Sequence, residues 1–255
     1  MITSGCEAAT SNGMSKIVIA NWKMRPETLE EAEDLFRISD GAIVCPPFVY
    51  LEEFSKIKSG AILGAQDISL SDEPGQTGEI SGEMLTRLRV KYVIIGHSDR
   101  RWKLGETDEI VNRKLKTALV HELMPIVCIG EKSRDTDFEI FLRNQVMSTF
   151  AGLPSEQIEK CLIVYEPVWA ISTTPGAKPD TPESALESIK IIKDSLIGNW
   201  KLEIGNSPKA LYGGSVDSKN VADFLKEDEI SGVLVGQASL NKEEFKKILD
   251  IVSSL

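Results

Sequence analysis

A closed (β/α)8 barrel is the fold class that this sequence predicts, and three observations predict it. Eight short apolar runs recur along one chain of 255 residues. Stretches with helical spacing separate them. The runs are continuously apolar rather than alternating, as parallel strands covered on both faces should be. Eight strand–helix alternations in a chain of this size fit such an α/β barrel. A doubly wound sheet usually has fewer strands and a glycine-rich first turn, yet no GxGxxG follows a run and no GxxxxGK occurs.

In chain order, the first strand is expected at 17–20 (IVIA), followed by a helix with Leu29, Ala32, Leu35 and Phe36 on one face. The second, third and fourth strands are expected at 42–45, 61–64 and 92–95. A helix carrying Ile110, Leu115, Ala118 and Leu119 leads to the fifth strand at 125–128, and the sixth lies at 162–165. Thr181-Pro182-Glu183 is a helix start, with a hydroxyl cap, a proline at the first position and an acid near the positive end. Its apolar positions are Leu186, Ile189, Ile192 and Leu196. The seventh and eighth strands fall at 209–212 and 232–235, and the last helix carries Phe245, Ile248, Leu249 and Val252. No linker divides the chain, so 14–255 reads as one barrel domain. Residues 1–13 lack the basic start and apolar core of a secretory signal, and Met14-Ser15-Lys16 looks like a natural start. They read as a disordered extension or a tag remnant.

A formal net charge of -10 argues against nucleic acid or an anionic membrane as partner. No apolar run approaches the length of a membrane span. Cys6, Cys45, Cys128 and Cys161 show no paired spacing, so reduced thiols in a cytoplasmic protein are expected. No metal-ligand cluster or cofactor motif is present, and neither group is expected.

Loops after the strands build the active site of such barrels. Asn21 and Lys23 follow the first run and offer a neutral donor and a cation. Gly96-His97-Ser98-Asp99 follows the fourth. His97 suits an electrophile or proton shuttle, and a helix start at Ser98-Asp99 would favour a neutral imidazole. His121, late in a helix, reads as structural. Glu166 ends the sixth run beside Pro167; walled by Tyr165 and Trp169 it would be poorly solvated and suited to general-base work. Glycine turns follow the last two runs, Gly213-Gly214-Ser215 and Gly236-Gln237. Exposed N–H groups there can hold phosphate. A base, an electrophile, a cation and a phosphate cradle suggest proton abstraction next to a carbonyl in a small phosphorylated substrate.

The segments Asn21-Trp22-Lys23-Met24, Gly96-His97-Ser98, Tyr165-Glu166-Pro167-Val168-Trp169-Ala170-Ile171 and Tyr212-Gly213-Gly214-Ser215-Val216 resemble those of the triosephosphate isomerase family, from about Lys16 to the C-terminus. The resemblance implies a TIM barrel that interconverts dihydroxyacetone phosphate and glyceraldehyde 3-phosphate through an enediolate. It implies Glu166 as base, His97 as electrophile, Lys23 and Asn21 as charge-stabilising groups, and Ser172, Ser215, Gly236 and Gln237 at the phosphate. It further implies a lid hinged at 167–169, a homodimer in which Thr77 of the third loop reaches the partner's site, and an Arg101–Glu106 pair bracing the site. Three departures stand out. The lid tip, 172–180, is longer and carries Ser172 for a glycine; Gln237 replaces a glycine; Asp99 replaces a glutamate and is expected to reach less far. The alternative is a non-catalytic phosphate-binding or scaffold protein on a degenerate barrel.

Overall fold

The structure, a computed structural model, describes residues 16–255. The extension expected at 1–13 lies outside the described residues. Eight parallel strands close into a barrel in sequence order. They are β1 (Ile17–Asn21), β2 (Ile43–Cys45), β3 (Ile62–Ala65), β4 (Tyr92–Ile95), β5 (Met124–Ile129), β6 (Leu162–Tyr165), β7 (Lys209–Tyr212) and β8 (Gly232–Val235). Pairing of Ile17 with Gly232 through Ala20 with Val235 closes the ring. Gly232 is required there, because a Cβ would lie 2.2 Å from the Ile17 carbonyl oxygen.

The strands are apolar throughout because both faces are covered. Ile19, Ile94, Ile126, Val164, Leu211 and Leu234 fill the barrel interior. Their neighbours, such as Val18, Ala20, Val93 and Val127, pack outward under the helices. The alternate pointing of strand side chains divides each run between two cores.

The surrounding helices are α1 (Leu29–Arg37), α2 (Phe48–Phe54), α3 (Gly82–Arg87), α4 (Asp108–Val120), α5 (Phe138–Thr149), α6 (Ser155–Ile158), α7 (Pro182–Trp200), α8 (Val221–Leu225) and α9 (Lys242–Ser253). Side-chain caps start several of them. Thr28, Ser81, Thr107 and Thr181 each accept a backbone N–H at 3.2–3.3 Å, and each such cap is worth about 1 kcal/mol. The apolar faces of α7 and α9 fall inward as their spacing predicts. Two expected positions shift: Leu29 is exposed, and the buried face of α4 centres on Val111, Leu115 and Ala118, with Ile110 at its edge. Among the described residues no helix is long and apolar enough to cross a membrane.

Candidate active site

Asn21 is the last residue of β1 and is buried. Two residues on, Lys23 has φ of 52°, left-handed backbone that a side chain disfavours. Its N–H donates to Asn21 Oδ1 at 3.1 Å, and its ammonium lies 2.9 Å from Asp99 Oδ2. Asp99 therefore reaches Lys23 despite being shorter than glutamate, against the expectation. It lies in a π-helical turn, Asp99–Lys103, and its other oxygen meets Lys103 at 2.6 Å. Burial would raise the Asp99 carboxyl, but the bonds from Lys103 and Lys23 outweigh it and hold it at about 2.

His97 follows β4 and Gly96, whose φ is 71°. The Asp99 N–H donates to His97 Nδ1 at 3.1 Å. A neutral ring in that position carries its proton on Nε2, the nitrogen 3.0 Å from Glu166 Oε1. Ser98 gives no cap to the turn that follows. Instead its N–H donates to Glu166 Oε2 at 2.9 Å and its hydroxyl to Oε1 at 2.8 Å. Glu166 is 3% exposed and takes all of these bonds from one loop. To act on a substrate it must leave them.

Tyr165 and Trp169 do not flank Glu166 as expected. Strand alternation turns Tyr165 to the outer face, where its hydroxyl and Trp169 Nε1 both donate to Glu131 Oε1, at 2.8 and 2.9 Å. The segment 167–169, expected as a hinge, thus rests on a buried carboxylate that the sequence did not announce. Past a short 3-10 turn, Val168–Ala170, the longer tip joins its own ends: Lys178 N–H donates to Trp169 O at 3.1 Å. The Ser215 hydroxyl donates to Ala170 O at 2.8 Å, tying the 3-10 turn to the loop after β7.

A cavity of about 700 Å³ opens at the C-terminal mouth. Asn21, Lys23, His97, Glu166, Ser172, Ser215, Gly236 and Gln237, the eight residues expected to meet the substrate, all line it. Gln237 opens a 3-10 turn, Gln237–Leu240, and its side chain is exposed. Arg25 and Lys219 also line the cavity and were not anticipated; single basic residues in loops carry no pattern.

Behind the site, the expected Arg101–Glu106 pair is absent. Arg101 donates to the Gly96 carbonyl at 2.6 Å and pairs with Asp108. Its neighbour Arg100 takes Glu106 and Asp67, both at 2.7 Å. Buried Lys114 of α4 bridges the same two carboxylates. Burial raises the Asp67 carboxyl against the pull of Lys114. For Glu106 the bonds from Arg100 and Lys114 outweigh burial and lower it. His121 stands apart, 2.8 Å from Asp72.

A parallel barrel whose acid–base groups gather where β1, β4 and β6 end falls in the class of single-domain (β/α)8 enzymes. Comparison with known proteins narrows the class. The family model for triosephosphate isomerase matches residues 16–252. The triosephosphate isomerase of Thermoanaerobacter pseudethanolicus is 40% identical over 247 residues, covering 92% of this chain and 98% of that protein. That of Dictyoglomus thermophilum is 40% identical with the same coverage, and that of Onion yellows phytoplasma is 35% identical over 251 residues, covering 94% of this chain and 90% of its own. The chain belongs to the triosephosphate isomerase family and is an isomerase.

Proposed function

We propose that this chain interconverts dihydroxyacetone phosphate and D-glyceraldehyde 3-phosphate, the glycolytic and gluconeogenic reaction named by its family. The observation that carries the reading is the contact of Glu166 with His97 Nε2 at 3.0 Å, at the edge of a cavity that Lys23 also lines. Glu166 removes the proton from the carbon beside the carbonyl. The electron pair moves to the carbonyl oxygen, giving an enediolate. His97 donates its Nε2 hydrogen bond to that oxygen and moves a proton between the two oxygens; the family is a worked case of a neutral imidazole tuned for this task. Lys23 and Asn21 offset the developing charge. Glu166 then returns its proton to the neighbouring carbon.

Backbone N–H groups at Ser172, Ser215, Gly236 and Gln237 hold the phosphate. Closure of the lid from Pro167 onward excludes water, which would otherwise let the enediolate lose phosphate. The whole of 14–255 is one catalytic barrel, and two copies form a homodimer with Thr77 of each reaching the other's site. Buried thiols at Cys45, Cys128 and Cys161 suit a reducing cytoplasm.

A non-catalytic phosphate binder would have little use for a carboxylate facing an anion. Turnover of glyceraldehyde 3-phosphate by purified protein, beside Glu166→Gln, decides between the two. The wild type is expected to turn over and the variant to lose at least about 10³-fold in kcat. Equal rates would sink the isomerase reading.

A further inference from the structure

We propose that Glu244 is a positioning residue for the phosphate, its carboxylate tying the loop after β7 to the start of α9 and so setting the spacing between the two turns that hold the anion. The proposal rests on the phosphate cradle of the isomerase reading and names a residue on which that cradle depends.

Glu244 stands on the first turn of α9, behind the N-cap Asn241, whose Oδ1 accepts the Glu244 N–H at 3.0 Å. A glutamate at this point of a helix commonly reaches back to the N–H of its own cap. This one does not. The Asn241 N–H goes to Ala238 O at 3.4 Å, and Glu244 Oε1 takes the Ser218 N–H at 2.7 Å, 26 residues upstream. The Ser218 donors first, then Lys247 and Lys219, hold the Glu244 carboxyl below its ordinary range, so it is ionised at neutral pH. A short N–H bond to an ionised acceptor is among the stronger kind.

The loop after β7 otherwise satisfies itself. Asp217 N–H donates to Asn220 Oδ1 at 2.9 Å, and the N–H groups of Lys219 and Asn220 donate to Asp217 Oδ1 at 2.8 and 3.2 Å. Asn220 Nδ2 donates to Ser215 O at 3.0 Å and fixes the residue that faces the cavity. From 217 to 220, Ser218 N–H alone depends on another element, and Glu244 supplies its acceptor. On the other side, α9 follows the 3-10 turn Gln237–Leu240 with only Asn241 between them. Glu244 therefore joins the two loops whose N–H groups meet the phosphate, and donors held at a fixed spacing need no reorganisation when the anion arrives.

Charge gives the argument its sign. Glu244 itself lines the cavity, beside Ser215, Gly236 and Gln237. A carboxylate there repels a phosphate. Its bond to Ser218, not its charge, is what favours binding, and the two contributions act in opposite directions.

The experiment titrates inorganic phosphate calorimetrically into wild type, Glu244→Ala, Glu244→Gln and Glu243→Ala at neutral pH, after circular dichroism shows each folded. Glu243 is exposed on the same helical turn and controls for loss of an acid near the helix N-terminus. Glu244→Ala is expected to weaken phosphate about tenfold, although removal of its charge alone would tighten binding. KM for glyceraldehyde 3-phosphate should rise with it, and kcat/KM for phosphate-free D-glyceraldehyde should fall less than for the phosphorylated substrate. Glu244→Gln keeps an acceptor oxygen and loses the repulsion, so it should recover the affinity. Unchanged or tighter phosphate binding by Glu244→Ala overturns the proposal, as does equal weakening by Glu244→Gln or by Glu243→Ala. Should Glu244→Ala fail to fold, Glu244→Asp, one methylene too short to reach Ser218, takes its place, and unweakened binding there overturns the proposal instead. Phosphate titration needs no turnover. An inactive wild type whose phosphate affinity falls in Glu244→Ala would remove the isomerase reading and keep this role; an active wild type with unweakened variants would remove the role of Glu244 alone.

Discussion

Glu166 and Ser98 share two hydrogen bonds, one from the serine N–H at 2.9 Å and one from its hydroxyl at 2.8 Å, so both oxygens of the carboxylate are held by one residue of another strand's loop. As the proposed base, Glu166 is parked in this position. The bonds that keep a buried carboxylate satisfied are the ones it must give up to reach a carbon acid. The relationship separates the stability of the resting site from its chemistry, and the two can be measured apart.

Ser98→Ala removes the hydroxyl and leaves the backbone donor and His97. Loss of one hydrogen bond to a buried charge should cost about 1.5–3 kcal/mol of folding stability. Because the bond is absent when Glu166 faces the substrate, kcat should change by less than about tenfold. Urea unfolding and steady-state rates give the two numbers. A collapse of kcat comparable to that of Glu166→Gln would show that Ser98 acts in the reaction itself.

The tautomer of His97 is fixed by a backbone donor. With the Asp99 N–H aimed at Nδ1, the ring proton belongs on Nε2, facing Glu166 and the cavity. Nitrogen-15 spectra of the imidazole at pH 8 should show a bare Nδ1 and a protonated Nε2. The reverse pattern would leave no donor for a carbonyl oxygen. His97→Gln, which keeps size and loses the shuttle, should lower kcat/KM by about 10²–10⁴.

Asp99 links Lys23 to Lys103 with a carboxyl held at about 2, below its ordinary value of 3.8. A depressed value means that the folded state binds the proton less readily than the unfolded one. The stabilisation is thus fully present above about pH 4 and is lost as pH falls toward 2. The stability gap between wild type and Asp99→Asn should be constant from pH 7 to pH 5 and narrow below pH 4. Partial exposure keeps it small, at about 1 kcal/mol or less. A gap that widens with acid would contradict the assignment.

The barrel was legible because strands covered on both faces need apolar residues at every position, and nothing else in the chain repeats that way eight times. Strand ends moved by a residue, with Ala42 outside β2 and Ala65 inside β3, since ladder register decides them rather than hydropathy. Helix α8 has five residues, too few to show a period. Site residues were legible where motifs follow strands directly. The groups that hold them were not. Glu131 and the Asp67–Arg100–Lys114–Glu106 cluster act through contacts between residues far apart in sequence. Adjacent Arg100 and Arg101 exchange roles according to a π-helical turn that no pattern announces. Lys114 looked like any helix-surface lysine.

The proposed dimer places the third loop at its interface. Ser69 N–H bonds Ile80 O at 2.9 Å across its base, Gln76 bonds Ser71 and Ser69 inside it, and Thr77 stands exposed at its tip. A loop pre-organised in this way loses little freedom on docking. Light scattering at micromolar concentration should give a dimer. Thr77→Arg should shift it toward monomer and lower kcat if the tip completes the partner's site as proposed. A monomeric wild type would contradict the role given to Thr77.

Lys114 offers the sharpest stability test. Its ammonium is 3% exposed and lies 2.6–2.8 Å from both oxygens of Asp67 while also bonding Glu106. Lys114→Met keeps much of the volume and removes the charge, leaving two buried carboxylates to share Arg100. Breaking a buried pair from one side costs about 3–5 kcal/mol, because the stranded charge remains. Replacing Lys114, Asp67, Glu106 and Arg100 together by apolar residues should cost far less than the single change, since no charge of the cluster is then stranded. Protonation relieves the stranded carboxylates, so the penalty of Lys114→Met should shrink as pH falls from 7 to 5, with Asp67 responding first because burial already raises it. A pH-independent penalty of under about 1 kcal/mol would place the cluster among ordinary surface pairs.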